Sequence, residues 1–215
     1  MENDNNKLLE LLASKICHDL ISPIGAVANG VEFLEEMGAD AGDEVINLIA
    51  HSSAQASAKL RAMRLAYGYG GADQSIKPED VHKIFSDYIS GESRITHDWD
   101  PHTLAEPLIA SSKMLMNGLL LITEALPKGG EINVIQEDAQ AVLITAKGEN
   151  AGLHGGLHEA LEQKVDIKDL TPKQVHAAIF GLLAKNYGYD LLVDEMQNNN
   201  ITLKIITPED QHLIS

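Results

Sequence analysis

A helical repeat at the N-terminus restricts this chain more than any other feature. Between residues 7 and 36, Leu9, Ala13, Ile16, Leu20, Val27, Val31 and Leu34 fall mostly three or four apart, the spacing of one helix face. Glu35 to Asp43, with Gly38 and Gly42 inside it, reads as a turn followed by an acidic helix start. A second helix is expected over residues 43–67, with Ile46, Ile49, Ser53, Ala56, Leu60, Met63 and Tyr67 as its seam. Two long antiparallel helices with such seams cannot bury both faces alone. A homodimer that closes a four-helix bundle would.

The rest of the chain has a different texture. Gly68 to Ser75 reads as a hinge or linker. Helices are expected over 78–90, 107–126 and 172–186, a strand over 94–99, and hairpins over 131–136/141–146 and 189–196/201–207. Helices grouped with hairpins of an antiparallel or mixed sheet indicate an α+β fold. The expected division is a helical hairpin over residues 1–70 and an α/β sandwich over residues 76–215.

Composition removes several functions. The 215 residues carry a formal net charge of -16 with the 16 Lys and Arg scattered, so a nucleic-acid backbone would be repelled. The lone Cys17 allows no intramolecular disulfide and suits a reducing cytosol. The acidic N-terminus is unlike a signal peptide. No uncharged apolar run approaches the roughly 20 residues that cross a bilayer. The expectation is a soluble cytoplasmic protein without membrane insertion.

Against this background His18 stands out. A lone helix histidine is most often structural or merely exposed, but this one is placed oddly. At about 100° per residue, with Ile16 at 0°, His18 falls at about 200°, opposite the seam. Ser14, Ser22, Gly25 and Asn29 lie within about 40° of it by the same construction. Small residues there, with Lys15 beside them, would let another protein approach the imidazole. The strip sacrifices helix propensity: Gly25 costs about 1 kcal/mol against Ala, and Pro23 removes a backbone hydrogen bond. Local costs gathered round one histidine mark a functional site.

The chemistry that fits is phosphoryl transfer. A neutral imidazole nitrogen can attack phosphorus. Asp19 can hold the proton of the other nitrogen and balance the developing charge, or it is simply a solvated helix carboxylate. If the helices pair about residue 39, residue 61 is level with His18. Lys59, Arg61 and Arg64 are then candidates to neutralise phosphate, or ordinary surface cations. Other constellations are weaker. His154 and His158 are four apart but straddle Gly155-Gly156 and lack a third ligand. Cys17 is expected to be a small packed residue.

The run His18-Asp19-Leu20-Ile21-Ser22-Pro23 resembles the phosphoacceptor motif of sensor histidine kinases, in their two-helix dimerisation domain. The C-terminal half is similar in layout to the kinase ATP-binding domain. Leu120 to Leu126 and Lys128 to Val134 occupy the place of the asparagine box and its following strand. The nucleotide residues depart from that pattern. Glu124 stands where the kinase asparagine would hold Mg²⁺, Leu120 fills the other asparagine position, and Asn117 is one turn away. Lys147-Gly148-Glu149-Asn150-Ala151 replaces the adenine-reading loop, and Asp169 to Gln174 replaces the Gly-rich lid.

An acceptor helix joined to a degenerate nucleotide domain resembles the dimeric histidine phosphotransferases of the ChpT type. That resemblance implies that His18 accepts a phosphoryl group from a receiver-domain aspartate of a hybrid sensor kinase. It would then pass the group to the receiver of a response regulator. It also implies that Mg²⁺ sits on the receiver and that this chain binds no cofactor. The alternatives are a divergent ATP-dependent kinase, a non-catalytic dimeric adaptor of response regulators, and a receiver phosphatase in which Ser22 positions water.

Overall fold

The structure, a computed structural model, describes residues 2–38, 42–91, 94–105, 108–196 and 199–208. Its first two helices are α1 (Glu2–Met37) and α2 (Gly42–Tyr67). A Cβ added at Gly30 would lie 2.6 Å from Ile49 Cγ1, so these two positions face each other and the pair runs antiparallel. Helix α1 continues through Pro23, which is buried.

The buried face of α1 differs from the expected seam. Leu8, Leu11 and Leu12 reach the hydrophobic core, whereas Leu9 and Val31 of the seam are exposed. The physical reason is that α1 serves three surroundings. One side meets α2, and a second meets the C-terminal body. The third carries apolar side chains that remain exposed among the described residues. One window within Asp4–Met37 has the length and apolarity to cross a bilayer when a charged residue or two is allowed in it, whereas the expectation concerned an uncharged run. The same stretch carries Lys15, His18 and Asp19 and packs on two sides.

The segment after α2 is bonded in place, contrary to its reading as a hinge. Tyr69–Ala72 is a 3₁₀ turn. Lys113 Nζ donates to the carbonyl of Gly68 at 2.6 Å and to that of Ala66 at 3.4 Å. Asn117 Nδ2 donates to the Ala66 carbonyl at 2.9 Å. The last carbonyls of a helix need donors from elsewhere, and a buried lysine and asparagine supply them. Burial lowers the Lys113 pKa. A Cβ on Gly71 would lie 2.0 Å from the Leu65 carbonyl oxygen, so glycine serves close approach there rather than motion.

The remainder is a two-layer α/β sandwich. Its elements are α3 (Pro78–Ile89), β1 (Ile95–His97), α4 (Ser111–Glu124), β2 (Gly130–Asp138), β3 (Ala141–Lys147), α5 (Leu157–Leu161), α6 (Val175–Tyr187), β4 (Asp190–Met196) and β5 (Asn200–Ile206). The sheet order is β1-β2-β3-β5-β4, with β1 parallel to β2 and the other pairs antiparallel. Alternate residues of β5, Ile201, Leu203 and Ile205, are buried, the pattern of a sheet covered on one side. Helices α3, α4 and α6 pack against it. Phe85, Met114, Leu119, Phe180 and Ile144 fill the space between.

Both expected hairpins are present, and β3–β5 pairing joins them. Helix α4 begins at Ser111 rather than at residue 107, which lies outside the described residues. Helix α6 begins at Val175. The turn before it is closed by Gln174, whose Oε1 accepts from the backbone of Thr171. The short helix α5 was not anticipated.

Candidate functional site

His18 projects from α1 with 87% of its side chain exposed, as the helical geometry predicts. Asp19 Oδ1 lies 3.3 Å from His18 Nδ1. A carboxylate at that nitrogen favours the tautomer with its proton on Nδ1 and leaves Nε2 free. Behind Asp19 the environment closes quickly. Lys15 Nζ is 3.5 Å from Asp19 Oδ2 and 2.9 Å from Glu124 Oε1, at the end of α4. Glu124 Oε1 is in turn 3.3 Å from Nδ1 of His176, which is 1% exposed on α6. The Tyr67 ring meets His176 edge-on, 5.8 Å between centroids. An exposed imidazole is thus backed by a chain of charges that runs into the core.

The electrostatics follow from this packing. Burial alone would raise the Glu124 carboxyl, but the His176 ring and the Lys15 ammonium outweigh it and hold the pKa at about 2. Burial works against the Lys15 charge, and Glu124 and Asp19 more than offset it, so the Lys15 pKa is raised. Burial and the nearby Glu124 carboxylate push the Tyr67 hydroxyl upward.

Among the residues expected to meet a partner, Ser14, Ser22 and Asn29 are exposed. Gly25 has open space where a Cβ would stand, unlike Gly30, which Ile49 crowds. Lys15 is half-buried, and its ammonium is engaged by Glu124 of α4 and by Asp19. The Gly30–Ile49 register does put residue 61 level with His18. However, Arg61 donates to Asp87 Oδ2 of α3 at 3.0 Å, and Arg61 and Arg64 line a cavity of about 520 Å³ beside Gly68 and Gly71. Lys59 is half-buried. Cys17 is exposed, not packed as expected.

Two residues escaped the sequence reading. His176 was not singled out, and Glu124 was noted only for failing to be asparagine. One signal was available. Glu124 sits in the last turn of α4, where the helix dipole disfavours a carboxylate, so a cation had to be supplied from outside the helix.

The segments that the kinase resemblance assigns to nucleotide make internal contacts. Glu124 pairs with Lys15, Glu149 pairs with Lys128, and the Gly148 amide donates to the Asn199 carbonyl. The 3₁₀ turn Ile167–Asp169, next to the expected lid position, packs against α1. His154 Nε2 lies 2.8 Å from the Asn150 carbonyl and His158 lies 3.7 Å from Glu162.

Comparison with known proteins gives this geometry a family. A model described as the histidine phosphotransferase C-terminal domain matches residues 78–199, more than half of the chain. The protein phosphotransferase ChpT of Brucella abortus (strain 2308) is 35% identical over 173 residues, covering 75% of this chain and 80% of that protein. A solved bacterial phosphotransferase superimposes with a TM-score of 0.75 at 30% identity, covering 92% of this chain and 95% of that one. An α+β chain with these relatives, and with an exposed imidazole on its long first helix, belongs to the histidine phosphotransferase family and is a phosphotransferase of phosphorelay signalling.

Proposed function

We propose that the phosphoryl group is carried on His18 Nε2. It arrives from a receiver-domain aspartate of a hybrid sensor kinase and leaves to the receiver of a response regulator. The observation behind this reading is the pairing of Asp19 with Nδ1 of a ring that is 87% exposed. The Nε2 lone pair forms the N–P bond while the P–O bond to the receiver aspartate breaks, and that carboxylate leaves with the electron pair. Nδ1 keeps its proton throughout. The positive charge that develops on the ring is balanced by Asp19, and no base is required. Transfer to the second receiver is the same step reversed, so the barrier depends on holding imidazole, phosphorus and carboxylate in line.

Mg²⁺ belongs to the receiver in this reading, and the chain itself needs no cofactor. Ser14, Ser22, Gly25 and Asn29 form the approach surface, and Lys59, Arg61 and Arg64 supply positive potential near it. The hairpin of residues 1–70 acts as the dimerisation and transfer unit, and residues 76–215 as its support. A second copy of the chain covers the open apolar face. Leu9, Ile21, Ile24 and Val31 on α1 and Ile46 and Leu60 on α2 are exposed, an arrangement that a cytoplasmic monomer would rarely leave in water.

The test is phosphotransfer from a labelled receiver domain. Wild type is expected to acquire an acid-labile, base-stable phosphoryl group, and His18→Ala to acquire none. Equal labelling of the two proteins would refute the assignment. Release of inorganic phosphate with no labelled intermediate would make the chain a receiver phosphatase instead.

A further inference from the structure

Glu124 is placed against the electrostatics of its own helix, and it has two partners from other helices. One is a buried histidine, His176. The other is Lys15, which stands one helical turn before Asp19 on α1. Lys15 and Asp19 are paired by helix geometry alone, but an exposed pair of this type wanders and contributes little. Here Lys15 is only 20% exposed and is held from behind by Glu124 at 2.9 Å. Its second contact takes Asp19 Oδ2, which leaves Oδ1 for His18.

We propose that Glu124 is a positioning residue for phosphotransfer. Through Lys15 it fixes the rotamer of Asp19, and Asp19 then keeps the His18 proton on Nδ1 so that Nε2 is the attacking atom. The inference rests on His18 as the acceptor and extends that reading to the C-terminal body. Glu124 touches neither the phosphoryl group nor the imidazole. It acts by removing the freedom that Asp19 would have on an isolated helix, as the partners that orient metal ligands do, where their loss costs about 10- to 100-fold. His176 anchors Glu124 from the opposite side, and its burial keeps the brace from shifting toward solvent.

The experiment uses the full-length protein in two measurements. The first reads the His18 ring nitrogens by ¹⁵N NMR with no partner present. Glu124→Gln and Lys15→Met are each expected to lower the Nδ1–H tautomer fraction, with Asp19→Asn as the reference for complete loss. The second measures transfer from a phosphorylated receiver. Both variants are expected to lose about tenfold in the maximal rate with little change in KM.

The double variant Lys15→Glu/Glu124→Lys restores a cross-domain ion pair but puts a carboxylate beside Asp19. The swap also sets an ammonium in place of the carboxylate against His176, and a positioning role predicts that it stays slow. Lys15→Met serves if Glu124→Gln does not fold. An unchanged tautomer in both single variants, or a fast double variant, overturns the proposal. Labelling of His18→Ala would instead overturn the underlying assignment, so the two failures are distinguishable.

Discussion

His18 and His176 present the same atom to the same kind of partner. Each has Nδ1 3.3 Å from a carboxylate oxygen, of Asp19 in one case and of Glu124 in the other. One side chain is 87% exposed and the other 1%. The contrast shows that a histidine–carboxylate pair does not define a reactive site by itself. What decides is the space around the second nitrogen. His18 Nε2 faces water and any protein that arrives there. His176 Nε2 is buried without a hydrogen-bond partner among the described residues, where a phosphoryl group and its attacking trajectory have no room. Lys15 links the two pairs, so the reactive one leans on the structural one.

The most forceful way to break this comparison is to delete each ring in turn. His18→Ala removes an exposed side chain. It should abolish phosphoryl acceptance and change stability by no more than about 0.5 kcal/mol. His176→Ala empties a core position and releases Glu124. It should lower stability by about 2–4 kcal/mol, while the folded protein still becomes phosphorylated, more slowly, on His18. Urea denaturation and labelled transfer measure both quantities. Complete loss of labelling in folded His176→Ala would mean that the two histidines do not divide the work in this way.

A second test sharpens the buried half. The Glu124 pKa of about 2 lies below its ordinary value of 4.5. A carboxylate depressed by folding contributes stability that is fully present above the unfolded pKa and is lost as pH falls through the folded one. Its contribution is therefore intact at neutral pH and disappears between about pH 4.5 and pH 2, on the order of 3 kcal/mol in all. Glu124→Gln should flatten that part of the acid profile, and His18→Ala should leave it as it is. Coincident profiles for wild type and Glu124→Gln would show that the carboxylate is not held by Lys15 and His176 in solution.

The two halves also differ in how far they could be read from sequence. The exposed half was legible because helix periodicity is local: residues 7–36 determine which way His18 points, whatever they pack on. The hairpins and the α+β class were legible for the same reason. The face of α1 that meets the C-terminal body was not. Leu8, Leu11 and Leu12 lie off the repeating seam, and the C-terminal elements packed on α1, Ile167–Asp169 and α6, come about 155 residues or more later. The Lys15–Glu124 pair was not legible on the same ground, since the two residues are distant in sequence. The glycines of the linker suggested mobility because nothing local reveals that Lys113 and Asn117 cap the helix before them.

The smallest expected effect tests the surface in front of His18. A mid-helix glycine costs about 1 kcal/mol against alanine, and at Gly30 the close approach of Ile49 accounts for it. At Gly25 nothing among the described residues lies within 4 Å of an added Cβ, so the packing described gives no reason for glycine there. Gly25→Ala should raise stability by up to about 1 kcal/mol, and Gly30→Ala should lower it by about 1–3 kcal/mol through crowding. If a receiver packs on the strip beside His18, the stabilised Gly25→Ala protein should also show a higher KM for the phosphorylated receiver, because the added methyl stands in the contact. A more stable variant with unchanged KM would move the docking surface off Gly25 and toward Ser14, Ser22 and Asn29. The exposed histidine would then be approached along a narrower path than the open strip suggests.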